Sequence, residues 1–274
     1  MMVEALVYFF VPALVGVLIG VASGLLGIGG GTVMVPIFRL AFGMSATMST
    51  ATSLFAIIPT SISGAISHVK GKTCIPALGI AAGLGGACLS PVGVWLAQLS
   101  PDWLVMLAAA LIIGYSAINM FKKAFKLRPA GQPAAGVDAA APTADDSSLS
   151  RKQLLQGAAI GLVAGLASGY FGVGGGFIMV PLMLSIIGIP MRKASGTSLI
   201  AVMILAIPGV IEQGIIGNIN YLAGIAIVIG TIPGAVIGAR LVTKVPERTL
   251  RLLFGCFLIV AAVMLVLNEV GIFG

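Results

Sequence analysis

Charge is what this 274-residue sequence has least of: 8% of its residues are Asp, Glu, Lys or Arg, where a soluble domain carries about a quarter. So few charges cannot solvate a surface. That excludes an ordinary soluble enzyme, a disordered chain and a nucleic-acid binder. Cysteine is scarce and odd in number: Cys74, Cys88 and Cys256 each lie in an apolar run. They read as small buried hydrophobes, neither a disulfide framework nor a zinc site. No carboxylate pair, Ser/His/Asp set or Cys/His ligand spacing is present, so no catalytic residue, metal or cofactor is expected. The start, Met1-Met2-Val3-Glu4, lacks the basic stretch of a signal peptide, and residues 5–22 read as a first membrane segment.

What is there is apolar: 59% of residues, with a mean hydropathy of +1.15. Spanning a bilayer takes about 20 such residues. The first half offers 5–22, 27–43, 48–67, 74–97 and 103–121; the second offers 154–169, 173–189, 195–213, 219–239 and 252–270. The first two segments of each half are short and glycine-interrupted. Each pair therefore reads either as two spans or as one broken or re-entrant hairpin. Between the halves, 126–150 is rich in Ala, Pro and Ser without apolar periodicity, the composition of a flexible linker. The expected fold is an all-α polytopic membrane protein with repeats at 1–125 and 151–274.

The halves are copies. Residues 20–36, GVASGLLGIGGGTVMVP, match 165–181, GLASGYFGVGGGFIMVP, at eleven of seventeen positions with a constant offset of 145. The register continues through Thr52-Ser53-Leu54 and Thr197-Ser198-Leu199. The net charge of +7, from 15 bases and 8 acids, is distributed unevenly over this repeat. His68-Val69-Lys70-Gly71-Lys72 answers to the base-free stretch 212–218. Lys244, Arg248 and Arg251 answer to Ser100-Pro101-Asp102, and Arg192-Lys193 to the base-free turn after residue 43. Because Lys and Arg mark cytoplasmic loops, the two halves are oppositely oriented. An odd number of crossings per half follows, with the linker cytoplasmic and both termini external. Inverted repeats of this kind build transporters with a site near the midplane.

Each repeat carries GxGGG: Gly27, Gly29, Gly30, Gly31, and Gly172, Gly174, Gly175, Gly176. Glycine is about 1 kcal/mol worse than alanine in a helix, so three in a row favour an unwound break. In lipid such a break must face protein or a watery cavity. Its N–H groups, with the helix start near Thr32 or Phe177, suit an anion. Close helix packing through small residues competes with that reading; a P-loop fails for want of Gly-Lys-[Ser/Thr]. The paired Thr52-Ser53 and Thr197-Ser198 hydroxyls suit oxyanion oxygens, or bond to the preceding helical turn.

The repeated GxGGGxxxxVP, the tripeptides Ala51-Thr52-Ser53 and Gly196-Thr197-Ser198, and His68-Val69-Lys70-Gly71 resemble the sulfite exporter TauE/SafE family, the TSUP permeases. The resemblance covers nearly everything outside the linker. It implies a bacterial-type plasma-membrane transporter of sulfur-containing anions such as sulfite or organosulfonates. Ala51 stands where that family usually has glycine.

The expected mechanism is alternating access by rocking of the two halves. Gly29, Gly30, Gly31 and Thr32 meet Gly174, Gly175 and Gly176 near the midplane, and Thr52, Ser53, Thr197 and Ser198 bind the anion with them. Arg39, whose fork suits a sulfonate, is either a further ligand or snorkels to the outer interface. His68 and Glu212 are candidates for proton coupling, or simply polar helix ends. Expected partners are a small anion, protons and the lipid bilayer. The alternatives are a passive anion channel and a carrier of another small carboxylate or anion.

Overall fold

A computed structural model describes the backbone of residues 2–126 and 150–269 and the side chains of 12–125 and 150–267. The described residues form ten helical segments. They are α1 (Met2–Leu26), α2 (Gly31–Phe42), α3 (Ala46–Lys70), α4 (Pro76–Leu99), α5 (Asp102–Lys126), α6 (Arg151–Phe171), α7 (Gly176–Leu182, continued by a π-helical turn Met183–Ile187), α8 (Met191–Ile216), α9 (Tyr221–Leu241) and α10 (Glu247–Glu269). Among the described residues, α3, α4, α5, α6, α8, α9 and α10 are long and apolar enough to cross a membrane. The expected linker, 126–150, lies outside the described residues apart from its two ends. At one of these, Ser150 and Gln153 close a capping box on α6.

The second segment of each half is half-length. The 12 residues of α2 rise about 18 Å, against a hydrocarbon core of roughly 30 Å. The glycine loop completes the crossing. A methyl built on Gly29 would sit against Ile57 and Ser61, halfway along α3, whereas Gly24 lies beside the α3 end at His68. The chain thus climbs along α1, dips back as loop 27–30 to mid-height, and descends as α2. Five crossings per half result, the second one broken.

Glycine sets the helix pairing. Methyls built on Gly161, Gly165 and Gly169 of α6 would lie 1.9, 2.0 and 2.1 Å from the carbonyl oxygens of Ala82, Gly86 and Ser90 on α4. On α9, methyls at Gly230, Gly234 and Gly238 would lie 1.8, 2.3 and 2.1 Å from the carbonyls of Ala13, Val17 and Val21 on α1. Only hydrogen fits there, so these backbones touch. Residue numbers rise together in both pairs, so α1 and α9 run parallel, as do α4 and α6. Gly64 meets Leu199 and Leu54 meets Gly209, so α3 and α8, equivalent by repeat, are antiparallel. The repeats are therefore inverted.

The repeats are also interleaved. The first helix of each packs on the fourth of the other, so the two sequence halves cannot rock as separate bodies. That corrects the simplest mechanism expected from the sequence.

All described bases except Arg39 sit at one end of the bundle, at the termini of α3, α5, α6, α8, α9 and α10. Glu247 organises this basic end: its Oε1 accepts from Met191 N–H at 2.8 Å, capping α8, and pairs with Arg251 at 2.9 Å. Cys74, Cys88 and Cys256 form no disulfide among the described residues. Cys88 and Cys256 are exposed on the outer surface of the bundle and Cys74 is half-buried, which corrects the expectation of burial. A thiol is a small hydrophobe and sits equally well against lipid.

Candidate functional site

The two glycine loops meet at the centre. A methyl on Gly31 would lie 2.6 Å from the Val173 carbonyl oxygen, and one on Gly176 would lie 2.5 Å from that of Gly27. Gly29, Gly30, Gly174 and Gly175 hold positive φ, between 68° and 86°, a region costly for any residue with a Cβ. Every residue of 27–32 and 172–177 is buried. Ile57 and Val202, equivalent by repeat, fill the space between the loops: Gly29 and Gly174 each pack against both.

The Thr-Ser pair works reciprocally. Ser53 Oγ donates to the Gly172 carbonyl at 2.6 Å, and Ser198 Oγ donates to the Gly27 carbonyl at 2.7 Å. Thr52 Oγ1 accepts from Asn220 N–H at 3.0 Å, and Thr197 Oγ1 accepts from Ile75 N–H at 2.9 Å. Each repeat thereby fixes the other's glycine loop and the other's fourth helix start. Ser53, Thr197 and Ser198 spend their single hydrogen on carbonyls, Thr197 on Lys193 at 2.7 Å. In this conformation those three have none to give an oxyanion; their contacts are those of positioning residues. Ser53→Ala and Ser198→Ala should each lower stability by about 1–3 kcal/mol, by orphaning a buried carbonyl. The unfolding midpoint should fall several degrees, equally for both, in a thermal scan of purified protein.

The other sequence candidates are dispersed. Arg39 is half-buried in the last turn of α2, about 12 Å along the axis from Gly31, where a cation complements the helix C-terminus. At the matching end of α7, Lys123 of α5 contacts Ser185 and the Pro181 carbonyl, a partnership that no repeat pattern announced. His68 is buried near the basic end. Its Nε2 lies 2.8 Å from the Gly24 carbonyl, which can only accept, so Nε2 carries the hydrogen and Nδ1 accepts from Thr73 Oγ1 at 2.7 Å. Its equivalent Gln213 accepts from Asn218, the equivalent of Thr73, at 2.8 Å. Glu212 lies at the far end of α8 with a buried Oε2 that has no hydrogen-bond partner among the described residues. Neither His68 nor Glu212 reaches the loops.

His68 also accounts for the unequal tripeptides. A methyl on Gly196 would lie 2.7 Å from His68 Nδ1 and 2.5 Å from the Thr73 carbonyl oxygen, so glycine is needed there. Ala51 occurs in the half whose partner is Gln213.

Sequence reasoning missed three features at the loops. Ile57 and Val202 look like any membrane apolar residue. Ser61 has its Oγ 3.4 Å from a methyl placed on Gly29, and Ser23 lies 3.7 Å from one on Gly30. The hydroxyls of Ser23, Thr32 and Ser61 are buried and make no hydrogen bond among the described residues. Ser23 recurs as Ser168 within the repeated seventeen residues, which was a usable signal; Ser61 had none.

The family model for the sulfite exporter TauE/SafE matches residues 12–265. The chain belongs to that family. It is similar to the probable membrane transporter protein YunE of Bacillus subtilis, 28% identical over 97% of this chain and 99% of that one. YdhB of the same organism, also a probable membrane transporter, is 28% identical over 87% of this chain and 92% of its own. A probable membrane transporter protein of Haemophilus influenzae is 29% identical over 93% of this chain and 97% of its own. No solved structure matches. The chain is thus a multi-pass membrane protein of a transporter family.

Proposed function

We propose that this protein is a secondary transporter of small sulfur-containing anions, sulfite and organosulfonates foremost. It works by alternating access in a bacterial-type plasma membrane with its basic end cytoplasmic. One observation carries the reading: two half-length helices start from glycine loops that touch at mid-height of an inverted-repeat bundle. Positive helix ends directed at a midplane site are the arrangement that receives anions in transporters. The family name supports the choice of sulfur.

Sealing of the loops by Ile57 and Val202 favours a carrier over a channel, since the centre must open to one side at a time. The units that move are the glycine-welded pairs, α1 with α9 and α4 with α6. The α3–α8 interface, made of side-chain contacts, is the surface that slides between them. Arg39 belongs to the outer approach. For proton coupling His68 is the better equipped group. If it is protonated, Nδ1–H donates to Thr73 Oγ1, whose hydrogen turns to the His68 carbonyl at 3.3 Å.

The test is flux through proteoliposomes with sulfite, methanesulfonate, thiosulfate and a small carboxylate, with and without a pH gradient. Saturable uptake of the sulfur anions is expected. Ohmic single-channel current would establish the channel instead, and preference for the carboxylate would displace sulfur.

A further inference from the structure

Helices α3 and α9 run parallel and end together at the basic end of the bundle. Thr60 Oγ1 and Thr231 Oγ1 lie 2.6 Å apart, and one turn on Ser63 Oγ donates to the Ile232 carbonyl at 3.2 Å. Beyond these contacts the helix ends enclose a cavity of about 600 Å³, lined by Lys70, Arg240, Ser63, Ser67 and Thr243. Both bases are exposed. Among the described residues Glu247 is the one acid at this end, and it pairs with Arg251. Ile66 and Lys70 also line a second cavity of about 560 Å³ on the other flank of α3. This one is a groove between α3 and α8, running past Ile62 to Ile58, and Lys70 is its one polar side chain. From Lys70 to Ile58 a helix rises about 18 Å, close to the roughly 15 Å of half a hydrocarbon core. The repeat supplies a comparison. The positions equivalent to Ser67, Lys70 and Arg240 at the opposite face are Glu212, Ile215 and Trp95, an acid, an alkyl chain and an indole.

We infer that this corner binds one phospholipid of net negative charge, drawn from the leaflet at the basic end. The headgroup lies in the α3–α9 cavity, with its phosphate between Lys70 and Arg240. One acyl chain crosses α3 at Ile66 and lies in the groove against α8. Basic pockets between membrane helices take anionic headgroups in this way. The guanidinium fork of Arg240 suits two phosphate oxygens, and Lys70 adds a mobile point charge. Phosphatidylcholine and phosphatidylethanolamine carry a cation beside the phosphate, which the same two bases repel. The serines select further. Ser63 Oγ donates to the Thr60 and Ile232 carbonyls, and Ser67 Oγ to the Ser63 carbonyl at 3.2 Å. Their hydrogens are spent and their lone pairs can accept, so they fit a headgroup that carries hydroxyl donors, as glycerol does. Marking an orientation or complementing a helix C-terminus would need neither a shared cavity nor a groove one leaflet deep. The site is separate from the glycine loops and independent of what the protein transports.

The experiment is native mass spectrometry of the full chain in detergent, titrated with phosphatidylglycerol, phosphatidylcholine or glycerol 1-phosphate. Phosphatidylglycerol should fill one site at least about tenfold more tightly than phosphatidylcholine, the combined scale of two bases. At saturation it should raise the unfolding midpoint by about 2–4 °C. Lys70→Gln and Arg240→Gln should each weaken it about fivefold, the scale of one base near an anionic lipid. Lys244 is a base at the same end that lines neither cavity, so Lys244→Gln should leave the affinity within about twofold. All three side chains are exposed, and the variants should elute as folded protein. Glycerol 1-phosphate, which has no acyl chain, should bind far more weakly than the lipid. Equal affinity for phosphatidylcholine, an equal loss in Lys244→Gln, or glycerol 1-phosphate bound as tightly as the lipid would each overturn the site while leaving the transport reading untouched.

Discussion

Replacing Gly161 by leucine is expected to leave no folded protein. The position is on α6, where even a methyl would sit 1.9 Å from the Ala82 carbonyl oxygen of α4. The obstacle is backbone, which cannot rotate aside as a side-chain tip does. Gly165 and Gly169 repeat the backbone contact at successive turns along the same face, so one large residue lifts the whole pair apart. Over-packing an ordinary core site costs about 1–3 kcal/mol, and separating two welded helices exceeds that. The control is Gly114 on α5, where nothing lies within 4 Å of the added carbon. Gly114→Leu should fold, and Gly114→Ala should gain up to about 1 kcal/mol of helix propensity. Size-exclusion profiles in detergent check all three: a sharp peak for the two Gly114 variants and aggregate for Gly161→Leu.

Gly30→Ala is expected to fold and to lose transport by on the order of 100-fold, the scale of one or two lost hydrogen bonds to a charge. Its φ of 86° makes alanine cost about 1–2 kcal/mol. The nearest obstacles, though, are the tips of Ile19 and Met34, each at 3.0 Å, and both can give way. The added methyl lies beside Ser23, in the space the anion would enter. The sequence alone makes Gly30 and Gly175 equivalent probes, but the structure separates them. A methyl on Gly175 meets the Ala164 carbonyl oxygen at 2.6 Å, so that variant reports on folding. Wild-type flux in Gly30→Ala would remove the loop from the transport path.

Hydropathy located ten segments because lipid demands apolar length, and the glycine breaks were visible because unwound backbone has a compositional signature. Inversion was legible because basic residues answer to base-free loops across the repeat. Partner choice was not. The glycine stripes on α6 and α9 announce close packing without naming the helix that fills them, so the exchange of first and fourth helices stayed hidden. The Thr-Ser pair was visible as a repeated motif, yet its hydrogen bonds run between repeats, 119 residues apart for Ser53 and Gly172, and no local pattern encodes that. Ser61 stayed hidden because a single serine in an apolar helix usually bonds its own preceding turn.

The central claim is that one anion binds at the paired glycine loops. Titration calorimetry of sulfite into purified wild-type protein and Gly30→Ala, side by side, tests it most directly. One site per chain in the wild type, lost in a variant that elutes and melts as a folded protein, is the predicted result. Unchanged stoichiometry and affinity in Gly30→Ala would contradict it.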